Sequence, residues 1–243
     1  TSGETYVCTD ATTDANVWTN VGAGEGNVTP FTAIPFGGQG GGQNYGYHSG
    51  GYYPTVTATQ GKYDYSADGN SVDVAGLLSA AYAGVGFSSP LAGYTTGADI
   101  APQQGRQQRV EKYIFASNTQ ASVGGGANLT LMPLQGASAT NSDTYGYTIG
   151  GYTLAGLVQK MSFATEATFT LVGDAYNGGT TTPMVHGSCH ASYTHGYRAG
   201  SHPPQIQDIE KWSFASDGPS VFVANMVRGA DTGCQGGSSG THG

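Results

Sequence analysis

The amino-acid sequence predicts an all-β fold: a five-bladed β-propeller of four-stranded blades, with the first blade completed by the C-terminal strand. Three observations carry that prediction. A Lys-aromatic-x-aromatic segment recurs, clearest in Ile209-Glu210-Lys211-Trp212-Ser213-Phe214-Ala215-Ser216-Asp217-Gly218. Its aromatic-or-Met position falls at Trp18, Tyr63, Tyr113, Met161 and Trp212, giving steps of 45, 50, 48 and 51 residues. Each step holds several short runs of β-branched and aromatic residues and no helical periodicity. Finally, the chain begins part-way through a repeat and ends on one unpaired strand, Gly229 to Gly236, so its two ends complete one blade and remove an exposed sheet edge.

The elements follow in order within each repeat. Strand 2 is a short aromatic segment closed by glycine, as in Tyr45-Gly46-Tyr47-His48-Ser49-Gly50-Gly51, Leu91 to Gly97, Tyr145 to Gly151 and His195 to Gly200. The glycine is expected where a side chain would obstruct a close turn. Near the start, Thr5-Tyr6-Val7-Cys8-Thr9 fits the same slot, with Cys8 where the other copies have Tyr. A variable loop leads to strand 3, whose alternation puts Trp212 and Phe214 on one face. A turn such as Ser216-Asp217-Gly218 leads to strand 4, represented by Ser71-Val72-Asp73-Val74, Thr168 to Val172 and Ser220 to Val223. A Gly/Ala/Ser-rich segment such as Ala83 to Phe87 closes the unit. The reading is a single domain over 1–243, with repeats near 1–35, 36–80, 81–132, 133–182 and 183–228 and a closing strand in 229–243.

Composition narrows the function classes. Of 243 residues 41 are Gly, only 10% are charged, and 8 Lys plus Arg stand against 16 Asp plus Glu. An acidic chain lacks the electrostatic footprint for phosphate backbones, which argues against nucleic-acid binding. No apolar run is long enough for a membrane-spanning helix, and Thr1-Ser2-Gly3-Glu4 opens no signal peptide. The absence of an initial Met reads as processing or as a fragment.

The Gly-Gly, aromatic-strand, Gly-rich-strand order, with Met226-Val227-Arg228-Gly229, resembles kelch-type propeller repeats. More narrowly, Thr194-His195-Gly196-Tyr197, Ile209 to Gly218 and Ser238-Ser239-Gly240-Thr241-His242-Gly243 are similar to a repeat reading roughly THGYTSGG…IDKFSFASDG, found in large virion and tail-associated proteins of marine bacteriophages. The resemblance covers repeats two to five. It implies a non-enzymatic structural or binding module of a virion (tail fibre, spike or capsid surface), located on the virion or outside the cell. Implied partners are other virion proteins and a host-surface glycan, with self-association allowed. The alternatives are a secreted lectin-like propeller and a glycan-active enzyme, since propellers host many functions.

Residue chemistry is sparse. Lys62, Lys112, Lys160 and Lys211 share one repeat position, which fits either an anion-capturing ring or, preferred here, a solvent-facing edge device. The aromatics beside them are expected to pack between blades. His186, Cys189 and His190 are the one cluster of metal-ligand types, too few for an expected metal site. His195 matches His242 and reads as a structural repeat residue. No nucleophile elbow or convergent acid–base set is present, so neither catalytic residue nor cofactor is expected. Variable loops on a rigid scaffold are where recognition concentrates, which singles out Tyr52, Tyr53, Arg106, Arg109, Tyr152 and His202. A Cys8–Cys234 disulfide would tie the two ends of the chain together, worth about 4–5 kcal/mol by loop entropy, against the alternative of three free thiols, with Cys189 a competing partner.

Overall fold

The structure is a computed structural model that describes residues 4–10, 17–23, 45–52, 54–100, 109–123, 135–152, 156–176, 185–201 and 205–228, with backbone alone for the first two stretches and Ile100. The chain divides into two compact units, Thr1–Ala33 and Ile34–Gly243. In the first, β1 (Glu4–Asp10) and β2 (Val17–Ala23) pair as an antiparallel hairpin.

The second unit is an all-β propeller of four antiparallel blades, with no helix among the described residues. Blade 1 holds β3 (Tyr45–Tyr52), β4 (Val56–Asp64) and β5 (Val72–Gly76). Next comes β6 (Ala81–Tyr82), followed by β7 (Val85–Ser88), β8 (Ala92–Thr96), β9 (Asp99–Ile100), β10 (Val110–Ile114) and β11 (Thr119–Ser122). Blade 2 is β7-β8-β10-β11, and the short β6-β9 pair extends its hairpin. Blade 3 runs through β12 (Ser138–Asn141), β13 (Tyr145–Ile149), β14 (Leu157–Ser162) and β15 (Thr170–Asp174). Blade 4 follows as β16 (Ser188–Ala191), β17 (His195–Ser201), β18 (Ile206–Ser213) and β19 (Val221–Asn225). The innermost strands β7, β12 and β16 pack on one another in sequence.

Five blades are predicted and four are found. The first repeat lacks the groups that dock one blade on the next: Val17 stands in the lysine position, Asn20 in the second aromatic position, and Ala23 replaces the residue of the following turn. Its β2 runs straight through Ala23 instead of turning. Cross-strand register also corrects the place of Cys8, which faces Trp18 as Gly46 faces Tyr63 and Gly196 faces Trp212. Cys8 therefore fills the glycine slot, not the tyrosine slot. Cys234 and the expected closing strand lie outside the described residues, and with them the proposed disulfide. Cys189 is a free thiol.

The repeat positions build the blades as their chemistry requires. The glycine that closes strand 2 has φ of 67°, 67°, 76° and 71° at Gly50, Gly97, Gly150 and Gly200, a left-handed backbone open to residues without a Cβ. Ser89, Ser142 and Ser192 close the hairpin between strands 1 and 2. Their hydroxyls accept the N–H of Ala92, Tyr145 and His195 at 3.1 Å in every case. The strand-2 glycine at the aromatic step is a seat for a ring: a Cβ on Gly196 would lie 2.2 Å from Trp212, and one on Gly146 would lie 2.2 Å from Phe87 of blade 2.

Blades pack through aromatic contacts of one kind. The strand-2 tyrosine of blades 1, 2 and 3 stacks on the second aromatic of the next blade: Tyr47 on Phe115 at 4.8 Å, Tyr94 on Phe163 at 5.4 Å, and Tyr147 on Phe214 at 4.9 Å. These rings anchor two buried clusters, one around Phe87, Tyr94, Met161 and Phe169, the other around Tyr147, Ile149, Val172 and Trp212. Lys62, Lys112 and Lys160 are neither an edge device nor part of an anion ring. Strand 3 has neighbours on both sides, and these three lysines reach the left-handed residue of the next blade's turn. Lys62 donates to Asn118 Oδ1 (3.4 Å), Lys112 pairs with Glu166, and Lys160 pairs with Asp217 (2.5 Å).

Candidate functional site

Antiparallel register sets Val85 opposite Thr96, Ser138 opposite Ile149 and Ser188 opposite Ala199. The start of strand 1 and the end of strand 2 therefore share one end of each blade, the rim. Two positions meet there at each blade junction. One is the second residue past the left-handed glycine of strand 2: Tyr52, Asp99 and Tyr152 after Gly50, Gly97 and Gly150. The other lies just ahead of strand 1 of the next blade, at or beside a residue of positive φ: Ala83 (56°), Gly136 (70°) or His186 (59°).

The three junctions carry three different contacts. At the first, the rings of Tyr52 and Tyr82 lie 5.1 Å apart. At the second, the Gln135 amide donates to Asp99 Oδ2. At the third, Tyr152 meets His186 edge-on at 6.1 Å. Backbone bonds link them into one band: Gly136 N–H to Ala83 O (3.5 Å), His186 N–H to Gly136 O (2.7 Å) and Tyr152 N–H to Gln135 O (3.0 Å). Tyr82 and Asp99 are register partners, and the charge on Asp99 holds the Tyr82 phenol above its ordinary pKa, so Tyr82 remains a neutral donor. Six side chains thus run in unbroken succession from Tyr52 to His186. Tyr52 and Tyr152 are open to solvent, at 67% and 39%.

A cavity of about 550 Å³ adjoins this band through Tyr82. It lies along β3 and is lined by Tyr45, Tyr47, His48, Tyr63 and Tyr65 among others. Burial raises the phenol pKa of Tyr47 and Tyr65, with Tyr45 and Tyr63 as the respective secondary causes. Aromatic rings with a few convergent polar groups are the usual lining of a small-molecule site.

Of the sequence-predicted recognition residues, Tyr52 and Tyr152 fall in the rim band. Arg109 does not: its guanidinium pairs with Glu111, whose Oε2 accepts the Leu78 N–H (2.7 Å) and the Gln120 amide (2.9 Å), an internal brace. Tyr53, Arg106 and His202 lie outside the described residues. The structure separates the three metal-ligand types. His186 joins the rim, whereas Cys189 and His190 are successive residues of β16 and face opposite ways. His190 Nε2 shares a hydrogen bond with Ser188 Oγ at 3.2 Å. Burial pushes the Cys189 thiol up to about 12, far from the reactive thiolate range. Among the described residues no three His, Cys, Asp or Glu side chains gather to hold a metal ion. His195 bonds Thr194 through Nδ1 at 2.8 Å, in keeping with a structural role. Sequence reasoning misses Tyr82, Asp99 and Gln135. The signal for Asp99 was present, a fixed offset of two from the repeat glycine.

The chain matches no family model and no curated protein. It is similar in fold to the solved structure of YjhT, with a TM-score of 0.61 and 12% identity over 82% of this chain and 68% of that one. At that identity the likeness bears on the propeller fold alone.

Proposed function

We propose that this chain is a non-enzymatic binding module for a neutral carbohydrate, held on the rim between Tyr52 and His186. The observation that carries the reading is the band itself: exposed aromatic faces alternating with a carboxylate–amide pair, on the end of a rigid scaffold. Flat apolar ring faces suit the C–H face of a sugar, while Asp99 and Gln135 supply an acceptor and a donor for its hydroxyls. A net charge of −8 disfavours sulfated or other polyanionic glycans. The six rim residues include a single carboxylate, Asp99, so the band offers no acid–base pair of carboxylates for glycoside hydrolysis. A glycan array tests the reading. Binding to neutral glycans, weakened in Tyr52→Ala and Tyr152→Ala, is the expected result; retention of array signal by both variants refutes the rim as the site. The likeness of repeats two to five to virion repeats is the support for placing this module on a particle surface, and mass spectrometry of purified particles tests that placement.

A further inference from the structure

Each blade junction presents one pair of side chains at the rim, and the pairs change in kind from junction to junction. Ring meets ring at Tyr52–Tyr82, carboxylate meets amide at Asp99–Gln135, and ring meets ring again at Tyr152–His186. From this order we infer that the rim takes an extended oligosaccharide of at least three units, two of them stacked on the flanking aromatic pairs and the middle one held by its hydroxyls at Asp99 and Gln135. The inference rests on the carbohydrate reading above and adds to it the shape of the ligand and the assignment of subsites.

Three features favour an extended ligand over a single sugar. The contacts succeed one another without a gap, since Tyr82 pairs in register with Asp99 and Tyr152 donates its N–H to the Gln135 carbonyl. The two exposed tyrosines belong to different blades, Tyr52 ending β3 of blade 1 and Tyr152 lying three residues past β13 of blade 3, with the Asp99–Gln135 pair between them, so one sugar ring cannot cover both. The polar pair sits between them, and a carboxylate offers about four lone-pair sites, of which the Gln135 amide takes one and the Tyr82 hydroxyl another. A hydroxyl-rich unit between two stacked rings satisfies that arrangement. An anionic unit does not, because it would face the Asp99 charge.

The test is a length series of cello-, manno- and malto-oligosaccharides of one to six units, titrated calorimetrically against the full chain. Affinity is expected to rise steeply up to three or four units and then level off. Tyr152→Ala and Tyr52→Ala should each weaken the trisaccharide by about tenfold, with about a hundredfold loss in the double variant, because well-separated sites add. Each single variant should leave a monosaccharide held at the other ring almost unaffected. Both tyrosines are exposed, and circular dichroism checks that the variants fold. Equal affinity for one unit and for four overturns the extended site while leaving a carbohydrate-binding rim intact. No neutral glycan bound on the array or in the titrations removes the carbohydrate reading and this inference with it.

Discussion

At one end of the blades the three junctions repeat one contact; at the rim end the same three junctions carry three different ones. The repeated contact is the strand-3 lysine reaching the left-handed turn residue of the next blade, as Lys62 to Asn118, Lys112 to Glu166 and Lys160 to Asp217. Beside it the same tyrosine-on-phenylalanine stack occurs at all three junctions, Tyr47 on Phe115, Tyr94 on Phe163 and Tyr147 on Phe214. At the rim the backbone pattern is also constant, glycine at one step and positive φ at the other, but the side chains hung on it differ. A blade has to dock the same way every time, so positions that dock cannot vary much. Positions held by the same backbone, where the side-chain contact need not be identical at every junction, can serve recognition.

Breaking the docking side should therefore cost stability, and breaking the rim should cost binding. The largest effect is expected for Trp212→Ala. Trp212 is 1% exposed, lies across Gly196 and packs on Tyr147. Its removal leaves a cavity and should cost about 3–5 kcal/mol in urea unfolding. A loss below 1 kcal/mol would mean that the blade 3–blade 4 junction is held by something else. The Tyr52→Ala, Tyr152→Ala double variant is expected to do the reverse, with stability within about 0.5 kcal/mol of wild type and oligosaccharide binding lost.

The clasp sharpens the comparison, because one copy has a neutral partner. Lys160→Met leaves the Asp217 carboxylate without its cation and should cost about 1 kcal/mol, with Lys62→Met opposite Asn118 costing less. The difference should shrink in 1 M salt, where the Debye length is about 3 Å. Equal costs in both variants at low salt would show that what the two lysines share, the stem and the ammonium over the Tyr45 or Tyr145 ring at 3.8 and 4.5 Å, outweighs the carboxylate.

The architecture was legible because docking repeats. The aromatic steps, the glycine closing strand 2 and the turn before strand 4 each recur four times in sequence, and each takes one conformation in the structure. The blade count was not legible, because periodicity alone gives Trp18 the same weight as Trp212. What separates them is what surrounds the ring: Val17 and Asn20 supply neither lysine nor second aromatic. Two of the six rim residues, Tyr52 and Tyr152, were legible as tyrosines in variable loops, and His186 stood out only as a metal-ligand type. Asp99 was marked by its offset from the repeat glycine, whereas Gln135 and Tyr82 are ordinary residues until a neighbouring blade brings a partner to them. Arg109 misled because its charge looks external in sequence, whereas Glu111 turns it inward.

The smallest effect belongs to a docking residue with one polar atom too many. Tyr147 is fully buried between blades 3 and 4, and its hydroxyl has no hydrogen bond of ordinary geometry among the described residues. Ser142 lies close enough to favour the phenolate slightly, but burial dominates and, with the charge on Asp217, pushes the phenol up to about 12. Tyr147→Phe keeps the stack on Phe214 and removes an unsatisfied group, so at pH 7 it should change stability by less than about 1 kcal/mol, in the stabilising direction. The pH dependence carries the sharper signature. The unfolded phenol ionises near pH 10 and the folded one near 12, so unfolding releases a proton between those values and stability falls as pH rises through that window. Each such tyrosine contributes a slope of up to about 1.4 kcal/mol per pH unit. Tyr113, also raised to about 12 by burial, keeps its slope in the variant, so Tyr147→Phe should remove one tyrosine's share and no more. Urea unfolding at pH 9, 10, 11 and 12 measures it. Parallel profiles for the two proteins, or a loss above 1 kcal/mol at pH 7, would show that the hydroxyl has a partner after all and that the blade junction is polar at its centre.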